Sequence, residues 1–161
     1  MKLLGVTLFF LMAAASGSAS AQSCAAPLLL QHQVLTTGDT CAAQNELGTL
    51  CIFAQSPAND IIYLMNVALP YTALHVGLTN NTSAWNAALV LIQGVCNGDS
   101  TCPRVADAGG PGAAEVLDVA GLAAGTYFVV VTSAVSDTTC GSYSLSVDGP
   151  TPVELQSFDI N

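Results

Sequence analysis

Six cysteines constrain this chain more than any other feature. Cys24, Cys41, Cys51, Cys96, Cys102 and Cys140 all lie downstream of an apolar leader. An even set of thiols in an exported chain closes into disulfides, which hold a small domain together. Zinc is the competing use. It needs close Cys-x-x-Cys pairs or histidine partners, and neither His32 nor His75 lies near a cysteine. Locality in sequence predicts the bridges Cys96–Cys102, across Asn97-Gly98-Asp99-Ser100, and Cys41–Cys51. That leaves Cys24–Cys140 to tie the N-terminal segment to the last core strand.

The leader, residues 1–21, has the three parts of a secretory signal. Lys2 gives the positive start, Leu3 to Ala15 the apolar run, and Ala19-Ser20-Ala21 the small-residue cleavage site. The run is shorter than the about 20 residues that span a bilayer, which argues against a membrane anchor or a buried helix. Cleavage after Ala21 starts the mature chain at Gln22, in the periplasm, at the cell surface or outside the cell. No segment after the leader is long and apolar enough to be an integral membrane helix. A lipid anchor on Cys24 is the alternative. Ala21 and Gln22 fit a lipoprotein signal poorly, and lipidation would leave an odd number of thiols.

Past the leader the one strong base is Arg104, against eleven acids. Such a chain repels phosphate backbones and anionic lipid surfaces, so nucleic acid is excluded as a partner. The acids are dispersed, as solubility requires of a surface otherwise built of Ser, Thr, Asn and Gly. With no lysine left for salt bridges, burial and disulfides must carry the stability.

Alternation predicts strands over 60–69, 73–79, 87–93, 114–119, 125–133 and 141–147. In the first, Ile61, Tyr63, Met65, Val67 and Leu69 share a face; in the last, Tyr143, Leu145 and Val147 point inward and Ser142, Ser144 and Ser146 outward. The segment 87–93 is apolar on both faces, as in an interior strand. Leu28 to Leu35 reads as a further strand, and 42–47 as at most one helical turn. Short strands without an amphipathic helix argue for an all-β antiparallel sandwich or jelly roll over 22–149. Pro150 and Pro152 then break the chain. The tail 150–161 alternates at period two from Val153 to Phe158, which suits an edge strand or recognition strand as well as a frayed end.

Five stretches carry a family resemblance: Asn59-Asp60-Ile61-Ile62-Tyr63, Ala88-Leu89-Val90-Leu91-Ile92 running into Gly94-Val95-Cys96, Gly109-Gly110-Pro111-Gly112-Ala113-Ala114-Glu115, Leu122 to Val131, and Cys140-Gly141-Ser142-Tyr143-Ser144-Leu145. Over Thr37 to Asp148 the chain resembles the bacterial pre-peptidase C-terminal domain, a jelly roll related to the collagen-binding domains of collagenases. The resemblance implies a non-catalytic appendage of secreted enzymes. Asn86 stands where family members often carry an acid, and Asp107 stands alone where they often have several, which weakens the family's calcium site here. The segment Pro152 to Phe158 is similar to a PVELxSF stretch near the C-termini of bacterial exported proteins.

The chemistry-bearing residues are few. His75 falls on the polar face of a predicted strand and His32 in the N-terminal one. Neither lies in a Gly-x-Ser-x-Gly elbow or beside a reactive cysteine, so surface histidines are the simpler reading. Carboxylate pairs are inevitable among eleven acids and point to no glycosidase. No cofactor is required. Calcium is the one ion the loops could suit, with Asp39, Asn45 and Glu46 in one loop and Asp107 and Glu115 about the Gly-rich turn. Neither set has dense Asp-x-Asp-x-Asp spacing, and solvated loop acids are the simpler reading. Trp85 and Tyr71 flank loops and could stack on a ligand, although burial statistics place Trp85 over the core. These readings describe a secreted, non-catalytic binding or accessory module for an extracellular polymer or protein. A surface protein assembling through its C-terminal strand is the alternative, and a small hydrolase a distant third.

Overall fold

The computed structural model describes residues 22–51, 54–98, 100 and 102–149. Residues 1–21, where a secretory signal and its cleavage site are expected, and the tail 150–161 lie outside the described residues. The strands are β1 (Leu28–Leu29), β2 (Thr36–Asp39), β3 (Thr49–Leu50), β4 (Ala54–Gln55), β5 (Ile61–Val67), β6 (Tyr71–Asn80), β7 (Ala87–Gln93), β8 (Arg104–Ala106), β9 (Glu115–Leu122), β10 (Gly125–Ser133) and β11 (Ser142–Asp148). They form a sheet of order β1-β5-β10-β7-β8, a sheet of order β2-β11-β6-β9, and the small pair β3-β4. All pairings are antiparallel except β1 with β5. The two larger sheets make a β-sandwich.

The core follows the period of two. Ile61, Tyr63, Met65 and Val67 of β5 face Leu74, Val76 and Leu78 of β6 and Tyr143, Leu145 and Val147 of β11, all buried. Trp85 is fully buried against this core, as burial statistics suggested. Its indole N–H donates to Ser133 Oγ at 2.8 Å, so the one polar atom of the ring is satisfied.

The five-stranded sheet buries its other face as well. Ile62, Val90, Ile92, Phe128 and Val130 pack there beneath Leu47 and Leu50, next to four half-buried cysteines. This outer layer is why 87–93 is apolar on both faces. It is also where the disulfides depart from expectation. The bridges are Cys24–Cys96, Cys41–Cys140 and Cys51–Cys102, with Cα separations of 5.5, 4.9 and 5.3 Å, in place of Cys24–Cys140, Cys41–Cys51 and Cys96–Cys102. Long-range placement decided the pairing. Thr40 N–H donates to Gly141 O at 3.0 Å, which sets Cys41 beside Cys140. Cys24 and Cys51 instead come down on the connection between β7 and β8, which carries Cys96 and Cys102.

Element boundaries also differ, with β6 at Tyr71–Asn80 against 73–79 and β9 at Glu115–Leu122 against 114–119, and three departures are larger. Of the strand expected over Leu28 to Leu35 only Leu28–Leu29 forms, in one sheet, and β2 of the other sheet begins past it at Thr36, because Gln33 adopts a left-handed φ of 59° and turns the chain. Leu69 lies beyond β5 and is 58% exposed, off the buried face it was assigned to. The helical turn expected over 42–47 is a 3-10 turn at Thr40–Ala42, started by Asp39, whose Oδ1 accepts Cys41 N–H at 2.8 Å.

Candidate functional site

Because the outer face of the five-stranded sheet is covered, the outer face of the β2-β11-β6-β9 sheet is the broad surface left open. Alternation puts Ser142, Ser144, Ser146 and Asp148 of β11 on it. Thr79, Gly77, His75 and Ala73 of β6 stand opposite, and Val116, Asp118 and Ala120 of β9 beyond. The registers align Ser144 with Thr79, and Ser146 with Gly77 and then Val116. Short side chains at so many positions keep the face flat. Gly77 contributes most: a Cβ there would sit 3.1 Å from Ser146 Oγ and 3.6 Å from His75 Nε2.

One row carries charge. Asp118, His75 and Asp148 stand in register across β9, β6 and β11. His75 Nδ1 lies 2.7 Å from Asp118 Oδ1, a hydrogen bond that becomes an ion pair when the imidazole is protonated. The row borders a depression of about 400 Å³ lined also by Ala73, Ala120 and Gly149. At its end His32 Nε2 lies 2.9 Å from Gly149 O, and the His32 and Tyr71 rings lie 6° from parallel with centroids 6.4 Å apart. A smaller cleft of about 140 Å³, lined by Leu50, Val90, Val105 and Val135 among others, lies under β3 on the opposite side.

Sequence reasoning treated His75 as a lone surface residue and did not connect it with Asp118 or Asp148. The partners are 43 and 73 positions away, and only strand register joins them. Carboxylate, imidazole and the Ser146 hydroxyl do share this patch. Ser146 stands opposite Gly77 in the ladder of β11 and β6. Ser146 Oγ itself donates to Gly77 O at 3.4 Å.

Some of the oxygen candidates already serve the backbone. Glu115 is buried, and its two oxygens accept N–H from Gly109 (2.7 Å) and Ala108 (3.1 Å). Burial, then the Glu115 charge, pushes the neighbouring Asp107 carboxyl up. Asp39 caps the 3-10 turn, and Asn45 Nδ2 donates to Ser56 O at 2.7 Å. Among the described residues no three His, Cys, Asp or Glu side chains converge on a point suited to a metal ion. Missed from sequence was Asp60, 1% exposed, whose Oδ2 receives Glu46 N–H (3.1 Å) and Leu47 N–H (2.8 Å).

With this architecture in hand, comparison with solved structures finds the pre-peptidase C-terminal domain of a collagenase from Bacillus anthracis. The two share the fold. They align over 79% of this chain and 95% of that one, at a TM-score of 0.51 and 16% identity. No family's sequence profile matches the chain. No curated protein matches it either.

Proposed function

We propose that this protein is a non-catalytic, extracytoplasmic binding or accessory module. It presents the outer face of the β2-β11-β6-β9 sheet to an extracellular polymer or a protein partner. One observation carries the reading: the two sheets are finished differently. One has most of its outer face covered by a disulfide-held layer that leaves a small apolar cleft beside Val90, and the other exposes a flat field of Ser, Thr and Gly ending in the Asp118–His75–Asp148 row. A flat polar face suits an extended chain better than a small molecule, which prefers an enclosed concave site. Three disulfides fit an oxidising compartment, to which the signal segment 1–21 would deliver the chain. The shared fold with a collagenase's appended domain supports an accessory role and argues against catalysis.

The test is retention on a panel of insoluble polymers: collagen-like triple helices, chitin, cellulose and peptidoglycan. The double variant Ser144→Arg/Thr79→Arg should bind the retained polymer at least tenfold more weakly while melting normally, and Val135→Arg on the far side should bind as the parent does. Equal binding by both variants would remove the face from consideration.

A further inference from the structure

Four large apolar side chains stand in water within one short run: Leu28, Leu29, Val34 and Leu35 are 38%, 61%, 45% and 67% exposed. The run joins β1 to β2, the open edges of the two large sheets. Leu30 between them is buried and closes that side of the sandwich. Exposed leucines beside unpaired strand edges are a liability that folded proteins cover.

The chain itself passes this place again. Gln33 N–H donates to Val147 O at 2.9 Å, and His32 meets Gly149 O. The last core strand therefore delivers the tail beside the exposed run. Pro150 and Pro152 have no N–H for a ladder, so the tail cannot simply prolong β11 as a paired strand. Past them, Val153 and Leu155 fall on one face of an extended chain and Phe158 and Ile160 on the other, so the segment offers two apolar side chains to either side.

We propose that Val153 to Ile160 docks on its own chain, beside the free edge of β2, and covers the exposed run 28–35. Reach permits it. Strands lie about 5 Å apart, so the position beyond β2 is about 10 Å from β11, and the four residues from Gly149 to Val153 span up to about 14 Å. Charge favours the chain's own tail over another molecule's, since two copies each with a formal net charge of −9 repel. Attachment also holds the tail at an effective concentration in the millimolar range.

Amide hydrogen exchange on the intact mature protein tests this at two protein concentrations tenfold apart. Amides of 153–160 should exchange at least tenfold more slowly than an unstructured chain, equally at both concentrations. Leu35→Asp, at an exposed site, should abolish that protection and leave β5, β7 and β10 unchanged. Deleting 150–161 should speed exchange in 28–35. Unstructured rates in the tail overturn the proposal, as does protection that survives Leu35→Asp. Protection that rises with concentration alongside a dimer mass overturns it too, and makes a second copy the occupant.

Discussion

Asp60 is a carboxyl taken out of water at the point where β5 begins. Its Oδ1 has no hydrogen-bond partner, while Oδ2 holds the Glu46 and Leu47 N–H groups that start the outer layer. Burial pushes its pKa up, against the opposing pull of the hydrogen bonds from the Leu47 and Glu46 N–H groups. A carboxyl with a raised folded pKa binds its proton more readily folded than unfolded. Its contribution to stability is therefore full below the ordinary value of 3.8 and is lost as pH rises through the raised one. Asp60→Asn should flatten the pH dependence of the urea midpoint in that window, and an unchanged slope would contradict the assignment. Trp85 is the second such residue. Gly141 leaves room for its ring, since a Cβ at 141 would lie 2.6 Å from Trp85 Cε3. Trp85→Ala should cost about 3–5 kcal/mol in denaturant unfolding, the usual price of a large buried aromatic. The burial of Trp85 was legible from its residue type. That of Asp60 was not, because its donors come from a loop 13 and 14 positions earlier.

At the scale of elements, the outer layer over β5, β10 and β7 is held by Cys24–Cys96 and Cys51–Cys102, whereas Cys41–Cys140 ties the 3-10 turn to the segment before β11. The bridge from Cys51 to Cys102 spans 51 positions, for which chain entropy gives an upper figure of about 4 kcal/mol. The double variant Cys51→Ala/Cys102→Ala should lose about 2–4 kcal/mol. It should also bind a hydrophobic dye where Val90, Ile92 and Phe128 become accessible, while the emission of Trp85 in the inner core stays that of the parent. A red-shifted emission would show that the two layers are one cooperative unit. The His75–Asp118 pair acts differently. Its side chains are 47% and 68% exposed, so His75→Ala should change stability by no more than about 0.5 kcal/mol.

For the whole molecule, charge sets the tone. A formal net charge of −9 with almost no bases leaves the acids to repel one another across the surface. Screening relieves this, so raising salt from low to physiological ionic strength should raise the melting temperature, and a flat or falling trend would show the acids too far apart to matter. The same charge turns away anionic partners and leaves neutral or cationic polymers as candidates for the open face.

The order of residues along the chain is enough to set the local pattern. Period-two burial in 73–79 and 142–148 is a property of each strand alone, since successive side chains must point to opposite faces, and the apolar residues on both faces of 87–93 mark a strand covered on both sides. The tertiary structure decided what depends on which strands become neighbours. The three disulfides join positions 51 to 99 apart, and no pair of sequence neighbours bonds. Likewise Asp118, His75 and Asp148 form a row only because β9, β6 and β11 pair in one particular register. Register is chosen by the summed burial of whole sheets. A cysteine or a histidine contributes little to that sum, and so it finds its partner wherever the apolar faces happen to bring it.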